Sequence, residues 1–278
     1  MKSLFITFLA FTFSLSYSNA QMILNAESLR VNMLKKKEHW SGSVGLSLSY
    51  TKNTTDIYNI SSNLALGYNG GENLWMIISN INFNKAESVA FQNSGVQHLR
   101  YNRQTNRNIT FEAFLQGQYD EVFAIKFRSL AGVGARFELF KNKKEVTDNT
   151  EDNKSKSRIF IGSLAMYEYE KASEIENNKI RRNFRSSNYL TFSLYPTDQV
   201  TIISTTYYQP RFDKLKDYRL SSEIGIRVGF SSKKEADKKS FWDKLEMNLS
   251  FNYNYDAFPV ITIPKRQYNI SNGLIYNL

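Results

Sequence analysis

The feature that most constrains this chain is a two-residue alternation of apolar and small polar side chains that recurs along its length. In the first such stretch, Trp40, Val44, Leu46, Leu48 and Tyr50 share one parity, while serines and a glycine take the other. Successive side chains of a β-strand point to opposite faces, so the alternation predicts strands with one apolar and one polar face. The chain is therefore predicted to be all-β.

The alternation recurs in about twelve segments, which are separated by stretches rich in Asn, Gly, Asp, Lys and Ser. The first two run over Trp40–Tyr50 and Tyr58–Tyr68. The others are predicted at Leu74–Phe83, Gly95–Arg103, Ile109–Tyr119, Phe123–Phe140, Arg158–Glu170, Asn183–Tyr195, Val200–Gln209, Asp217–Phe230, Leu245–Tyr255 and Arg266–Leu278. Most exceed the roughly 9 to 11 residues that a tilted strand needs to cross a bilayer. An even number of such strands with aromatic ends predicts a closed transmembrane antiparallel β-barrel.

Two stretches depart from this pattern. The run Trp75, Met76, Ile77 and Ile78 blurs the alternation of its segment. The charged stretch 141–157 is long for a turn on the side where barrels of this kind have short turns. It is an unusual insertion, or one strand before it is miscounted.

The composition agrees with a barrel better than with a helical membrane protein. The mean hydropathy is -0.45, although aromatic residues make up 14% of the chain. A barrel accommodates both values, because only alternate residues of each strand face lipid. The absence of cysteine excludes disulfides, thiolate metal sites, a cysteine nucleophile and a lipid-modified N-terminal cysteine. Two histidines leave little for zinc.

The formal charge of +10 does not indicate a nucleic-acid partner. Such binding requires a basic face together with a recognition fold. Here the lysines cluster in predicted turns and strand ends, as at 35–37 and 233–234, whereas many arginines lie within predicted strands. No nucleic-acid partner is predicted.

The N-terminus has the pattern of an export signal. Lys2 precedes the apolar run Leu4–Leu15, and Ser18-Asn19-Ala20 forms a small-x-small cleavage site before Gln21. A membrane anchor would need roughly 20 apolar residues, and serines interrupt this run earlier. We therefore predict a signal peptide at 1–20, a periplasmic segment at 21–40 that leads into the first strand, and an outer-membrane barrel at 41–278.

If the apolar parity faces lipid, a set of charged side chains points into the barrel. The predicted lumen charge network consists of Arg100, Glu112, Arg128, Arg136, Glu168, Glu170, Arg185, Asp217, Arg219, Glu223 and Arg227. Unpaired charges in a narrow, partly dry interior are costly, so opposite charges on neighbouring strands are expected to pair. The network is then a structural filling or a constriction that sets the selectivity of a narrow pore. In either case Arg136 is expected to be a partner of Glu168.

Catalysis is not predicted. Glu168 and Glu170 are two positions apart on one strand face, which fits two salt-bridge acceptors better than an acid/base pair. An outer-membrane lipase would need a Ser-His pair facing lipid, but His98 has the inward parity and has no nucleophile motif beside it. No cofactor, metal or catalytic residue is predicted. A lipase-type enzyme and a surface-binding protein are kept as alternatives, the second depending on the loops 84–92 and 171–182.

Several segments resemble a known family. They are Asn93-Ser-Gly-Val-Gln-His-Leu-Arg-Tyr101, Phe111-Glu-Ala-Phe-Leu-Gln-Gly-Gln-Tyr119, Arg128-Ser-Leu-Ala-Gly-Val-Gly-Ala-Arg136, Tyr167-Glu-Tyr-Glu170, and Tyr207-Tyr-Gln-Pro210 followed by Asp217-Tyr-Arg219. They are similar to the salt-induced outer membrane protein family, domain-of-unknown-function family 481. The resemblance covers nearly the whole mature chain. It implies an outer-membrane barrel of a Gram-negative bacterium and brings no established activity.

The expected function is passive and porin-like: envelope integrity under salt or osmotic stress, or a narrow polar pore. The expected partners are outer-membrane lipid, the barrel assembly machinery during biogenesis, and small ions or polar solutes.

Overall fold

A computed structural model describes residues 23–26, 30, 39–52, 56–86, 89–106, 108–141, 157–172, 180–197, 199–230, 245–259 and 264–276. It confirms the all-β prediction. The strands are β1 (His39–Lys52), β2 (Asp56–Asn69), β3 (Asn73–Ala86), β4 (Val89–Gln104), β5 (Ile109–Asp120), β6 (Ile125–Lys141), β7 (Arg158–Ala172), β8 (Ile180–Leu194), β9 (Val200–Pro210), β10 (Tyr218–Gly229), β11 (Leu245–Asp256) and β12 (Arg266–Tyr276). Within the described ranges, no helix is long and apolar enough to span a membrane.

The twelve strands form one antiparallel sheet in sequence order, each paired with the next along the chain. Strands therefore alternate in direction. We call the end at which β1 begins the proximal end, and the end at which β1 joins β2 the distal end. The turn between β2 and β3 lies at the proximal end, where Asn69 Oδ1 accepts a hydrogen bond of 3.1 Å from the Gly71 backbone N–H. Gly71 has a φ of 85°, which a residue without Cβ adopts at no steric cost.

The sheet curls so that distant strands face one another across an interior. The Tyr189 hydroxyl on β8 lies 2.5 Å from Glu112 Oε2 on β5, although two strands separate them along the sheet. Among the described residues, β1 pairs with β2 alone and β12 with β11 alone. Nearly all of β1 is exposed on both faces. The described part of the curled sheet therefore keeps two edges.

The distribution of polar and apolar residues over the two faces of the sheet is the reverse of that in a water-soluble protein. Large apolar residues such as Leu46, Leu115 and Val133 are more than half exposed on the outer face, whereas Glu112 and Glu168 on the inner face are fully buried. Paired aromatic rings lie at both ends of the outer face. Trp75 packs against Tyr101 at the proximal end, and Tyr218 packs against Tyr208 and Tyr255 at the distal end. An apolar outer face around a polar interior is the arrangement of membrane barrels.

The surroundings of β3 explain why the alternation of polar and apolar residues is blurred in its sequence. Its outer face carries Trp75 and Ile77, and its inner face carries Leu74, Met76 and Ile78, all three buried. The inner three pack against Leu24 and Ala26 from the N-terminal part of the chain. Both faces of this strand are therefore apolar. The inner face is covered by the N-terminal part of the chain, and the outer face belongs to the exposed apolar surface of the sheet.

The structure moves several predicted boundaries. β3 and β4 extend toward each other, so the predicted loop 84–92 shrinks to residues 87–88 between strands. The connection after β7 is likewise shorter than predicted, at 173–179. These shorter connections reduce the surface that the surface-binding alternative required. The signal peptide at 1–20, residues 142–156 of the charged insertion and Leu278 lie outside the described residues.

Candidate functional site

Charged side chains inside the distal half of the sheet form a cluster around Glu168. Glu168 accepts a hydrogen bond of 2.8 Å from Arg185 Nε, one from Arg219 Nη1, and one of 3.2 Å from Asn183 Nδ2. Arg128 Nε lies 3.3 Å from the same carboxylate. Glu168 is fully buried. Three guanidinium groups thus surround one carboxylate that has no access to water.

Neighbouring carboxylates balance the charge of these arginines. Glu170 accepts a hydrogen bond of 2.6 Å from Arg128 Nε and one of 3.2 Å from Arg219 Nη2. Asp256 accepts one of 3.2 Å from Arg219 Nε. We call this set the distal cluster: Arg128, Glu168, Glu170, Arg185, Asp217, Arg219 and Asp256. Most of its members make two or more hydrogen bonds within the cluster, although Glu170 Oε1 accepts none. Buried ion pairs need such hydrogen bonds if they are not to destabilise the fold.

Asp217 connects the distal cluster to the exposed β9–β10 connection. Its carboxylate accepts hydrogen bonds of 2.9 Å from Arg185 Nη2 and 3.1 Å from Arg211 Nη1. Arg211 Nε also donates to Asp213 at 2.9 Å, and this contact holds the pKa of the Asp213 carboxyl below its usual value. Ion pairs therefore hold the β9–β10 connection in two ways: Asp217 binds Arg185 of the distal cluster, and Arg211 binds Asp213 and Asp217 within the connection.

A second cluster lies around Glu112, nearer the proximal end. Arg100 Nη2 donates to Glu112 at 2.6 Å, and the Tyr189 hydroxyl donates at 2.5 Å. Arg30 Nη1 and Arg136 Nη1 each lie 4.0 Å from the other oxygen of the same carboxylate. We call these five residues the proximal cluster. It brings together strands β4, β5, β6 and β8 with a residue from outside the sheet.

The predicted network is therefore divided between two clusters. The expected partnership of Arg136 and Glu168 is wrong: Arg136 lies in the proximal cluster, with its guanidinium carbon 3.7 Å from the centre of the Phe160 ring. Two further predicted members belong to neither cluster. Glu223 is half-buried and contacts the N-terminal part of the chain, and Arg227 is exposed.

Sequence reasoning missed a lumen component that comes from the N-terminus. We call Ile23–Ala26 and Arg30 the N-terminal segment. Ile23 packs among Leu164, Tyr189 and Tyr207 on one side of the interior. Leu24 and Ala26 pack against the inner face of β3 on the other side.

Polar contacts anchor the same segment. Asn25 Nδ2 donates to Glu223 Oε2 at 2.9 Å, and Arg30 belongs to the proximal cluster. The prediction of a purely periplasmic segment at 21–40 did not foresee these contacts. The sequence signal that could have revealed them is the apolar inner parity of β3, which requires an apolar neighbour inside the lumen.

Little space remains between the N-terminal segment and the two clusters. A cavity of about 30 Å³ lies there, lined in part by Ile23, Leu24, His98 and Gln116. A buried water molecule needs roughly 10–15 Å³ of such space. The cavity can therefore hold a few water molecules at most.

His98 lines this interior and not the outer face of the sheet. Its Nδ1 lies 3.0 Å from Gln116 Oε1, and its ring stacks on Phe114 at 5.5 Å between ring centres. A lipase-type site would need this imidazole beside a serine on the outer face. The described residues also contain no group of three His, Cys, Asp or Glu side chains that could hold a metal ion.

The fold and interior define an antiparallel β-sheet protein with a charged, densely filled lumen. The family model DUF481, described as a protein of unknown function, matches residues 44–277, so the chain belongs to this family. A comparison with curated protein sequences found no significant match.

Two solved structures are similar in fold at 8% sequence identity. The NanC porin aligns over 84% of this chain and 100% of its own, with a TM-score of 0.43. OccK11 (OpdR) of Pseudomonas aeruginosa aligns over 85% of this chain and 79% of its own, with a TM-score of 0.34.

Proposed function

We propose that this protein is an outer-membrane β-barrel whose lumen is sealed at rest, and that it contributes to envelope integrity rather than to free permeation. The observation that carries this proposal is the interior between β3 and β10, in which two charge clusters and the N-terminal segment leave a cavity of about 30 Å³. The exposed apolar outer face supports residence in a bilayer.

The burial of the clusters favours a structural role over a selectivity filter. A filter works by presenting charged side chains to ions in water. Arg128, Arg185 and Glu168 instead have almost no contact with solvent, and each is bound to several opposite charges. In this role the charges tie non-neighbouring strands together and stiffen the wall.

The proposed orientation places the proximal end, at which β1 begins, in the periplasm. The partners of the mature protein are then outer-membrane lipids, with the barrel assembly machinery acting during insertion. A narrow pore for small ions or polar solutes is the second candidate. It is favoured by one observation: the N-terminal segment is a separate stretch of chain whose removal would widen the lumen.

The refolded protein is expected to be electrically silent in planar lipid bilayers. A cavity of about 30 Å³ holds a few water molecules at most and cannot conduct hydrated ions. The measurement is single-channel recording at moderate voltage, with insertion verified independently by protease protection in vesicles. Stable conductance steps from the inserted wild-type protein would contradict a sealed lumen.

Deletion of residues 22–30 is expected to produce discrete conductance steps, because the deletion removes the side chains that fill the space between β3 and β7–β9. The matched control is the pair Asn25→Ala and Arg30→Ala, which removes the polar anchors but keeps the apolar contacts. Far-UV circular dichroism verifies that each variant keeps its strands. If the deletion variant does not conduct, the charge clusters close the lumen without the N-terminal segment, and a narrow pore is ruled out as the function.

A further inference from the structure

The outer face of the sheet contains a groove floored by small side chains. Ala113, Val133 and Ala165 lie side by side on β5, β6 and β7. Together with larger neighbours, including Trp75 and Phe184, they line a depression of about 520 Å³. Its walls are almost entirely apolar.

A second depression continues the first toward the distal end. It measures about 540 Å³, and its floor includes Gly117 and Ser129. Leu99, Leu115 and Tyr167 line both depressions, which therefore form one continuous groove across β4–β7. Each half is within the range of about 300 to 1,000 Å³ that is typical of ligand sites.

Basic side chains lie at the distal end of this groove. Gly117, Ser129, Tyr169 and Arg182 occupy one lateral row of the sheet. Arg182 is exposed, with its guanidinium carbon 6.0 Å from the centre of the Tyr169 ring. Lys171 is the next outward residue on β7 beyond Tyr169. Two cations thus lie on β7 and β8 next to the distal part of the groove, outside its lining.

We propose that this surface binds an anionic glycerophospholipid, with one acyl chain in the groove and the phosphate at Arg182 and Lys171. The inference rests on the proposed membrane location. The groove supplies apolar contact for a hydrocarbon chain, and guanidinium and ammonium groups are good donors to phosphate oxygens. The chain would run from the distal end toward the middle of the bilayer.

Trp75 lines the groove and can report its occupancy. The variant Trp40→Phe/Trp242→Phe leaves Trp75 as the sole tryptophan. This protein is refolded into phosphatidylcholine vesicles that contain a small fraction of either phosphatidylglycerol or phosphatidylcholine with brominated acyl chains, which quench nearby tryptophan. Two basic residues near a membrane surface predict on the order of ten-fold enrichment of the anionic lipid at the site. Brominated phosphatidylglycerol should therefore quench Trp75 much more strongly than brominated phosphatidylcholine does.

In the same background, Lys171→Gln/Arg182→Gln should abolish the excess quenching. The matched control is Arg103→Gln, which removes an exposed outward cation at the opposite end of β4 and should leave the excess intact. Equal quenching by both lipids, or an excess that survives in the double variant, would overturn the inference.

Two further results separate this inference from its alternatives. If unlabelled lipid A removes the excess quenching and an equal fraction of unlabelled phosphatidylglycerol does not, the site belongs to that glycolipid and the choice of lipid is wrong. Failure of the protein to insert into vesicles would overturn the membrane location and this inference with it. Normal insertion without excess quenching overturns the lipid site alone.

Discussion

Replacing Glu168 by glutamine is expected to lower the free energy of unfolding by about 3 to 5 kcal/mol, the usual cost of removing one member of a buried ion pair. Glu168 is the shared acceptor for Arg185, Arg219 and Arg128, so its neutralisation deprives three guanidinium groups of their common carboxylate in a dry interior. The measurement is the denaturant midpoint of the protein refolded in lipid vesicles, followed by tryptophan fluorescence.

The control for this variant is a second substitution that removes the stranded charge. Glu168→Gln/Arg219→Met should recover part of the lost stability, whereas Glu168→Gln/Arg136→Met should not, because Arg136 lies in the other cluster. If Glu168→Gln leaves the midpoint unchanged and shifts the reversal potential toward anions, the cluster lines a hydrated pore and the sealed lumen is wrong.

A positive charge on the outer face is expected to be nearly as damaging. Leu48→Arg and Leu249→Arg each place a guanidinium on the outer face, at a position within a strand where the leucine is exposed. At the bilayer midplane such a charge costs about 2 to 4 kcal/mol. The yield of folded protein in vesicles should fall, as measured by electrophoretic mobility of unheated samples.

Ser47→Arg provides the comparison on the same strand. Ser47 has the opposite parity to Leu48 and points to the inner side of β1, where the side chains are small and the surface is exposed. An arginine there can remain hydrated, so folding should be affected much less. Equal losses for Ser47→Arg and Leu48→Arg would show that the outer face of β1 does not contact lipid.

The strands could be predicted from the sequence because their signal is local. Alternation over about ten residues is enough to assign a strand and to decide which side chains share a face. Parity alone therefore gave the inward set correctly for residues such as Arg100, Glu112 and Glu168. The boundaries that moved, as at β4, lie where the alternation is interrupted by polar residues of both parities.

The partners of the inward charges could not be predicted in the same way. Glu168 and Arg219 are 51 positions apart, on β7 and β10. Their contact depends on how strongly the sheet curls and on the stagger between strands, and neither property is encoded in any one segment. Adjacent-strand reasoning selected Arg136 instead, whose guanidinium is drawn toward Glu112 and the ring of Phe160.

The N-terminal segment was missed for a related reason. Four apolar or small residues carry no periodicity, so their destination is decided entirely by the surface that receives them. The receiving surface is recognisable in another part of the sequence, because Leu74, Met76 and Ile78 on the inner face of β3 are apolar. Where the interior is otherwise lined by polar residues, a strand that is apolar on both faces indicates that another part of the chain packs against its inner face.

The hydrogen bond from Asn25 to Glu223 spans 198 positions, and this separation has a consequence for the order of folding. Bringing together parts of the chain so distant in sequence costs entropy that only an existing framework can offset. The segment contacts β3, β5, β7 and β10, so its docking site does not exist until most of the sheet has formed. We therefore expect the wall to form before the N-terminal segment docks, so that water leaves this part of the interior last.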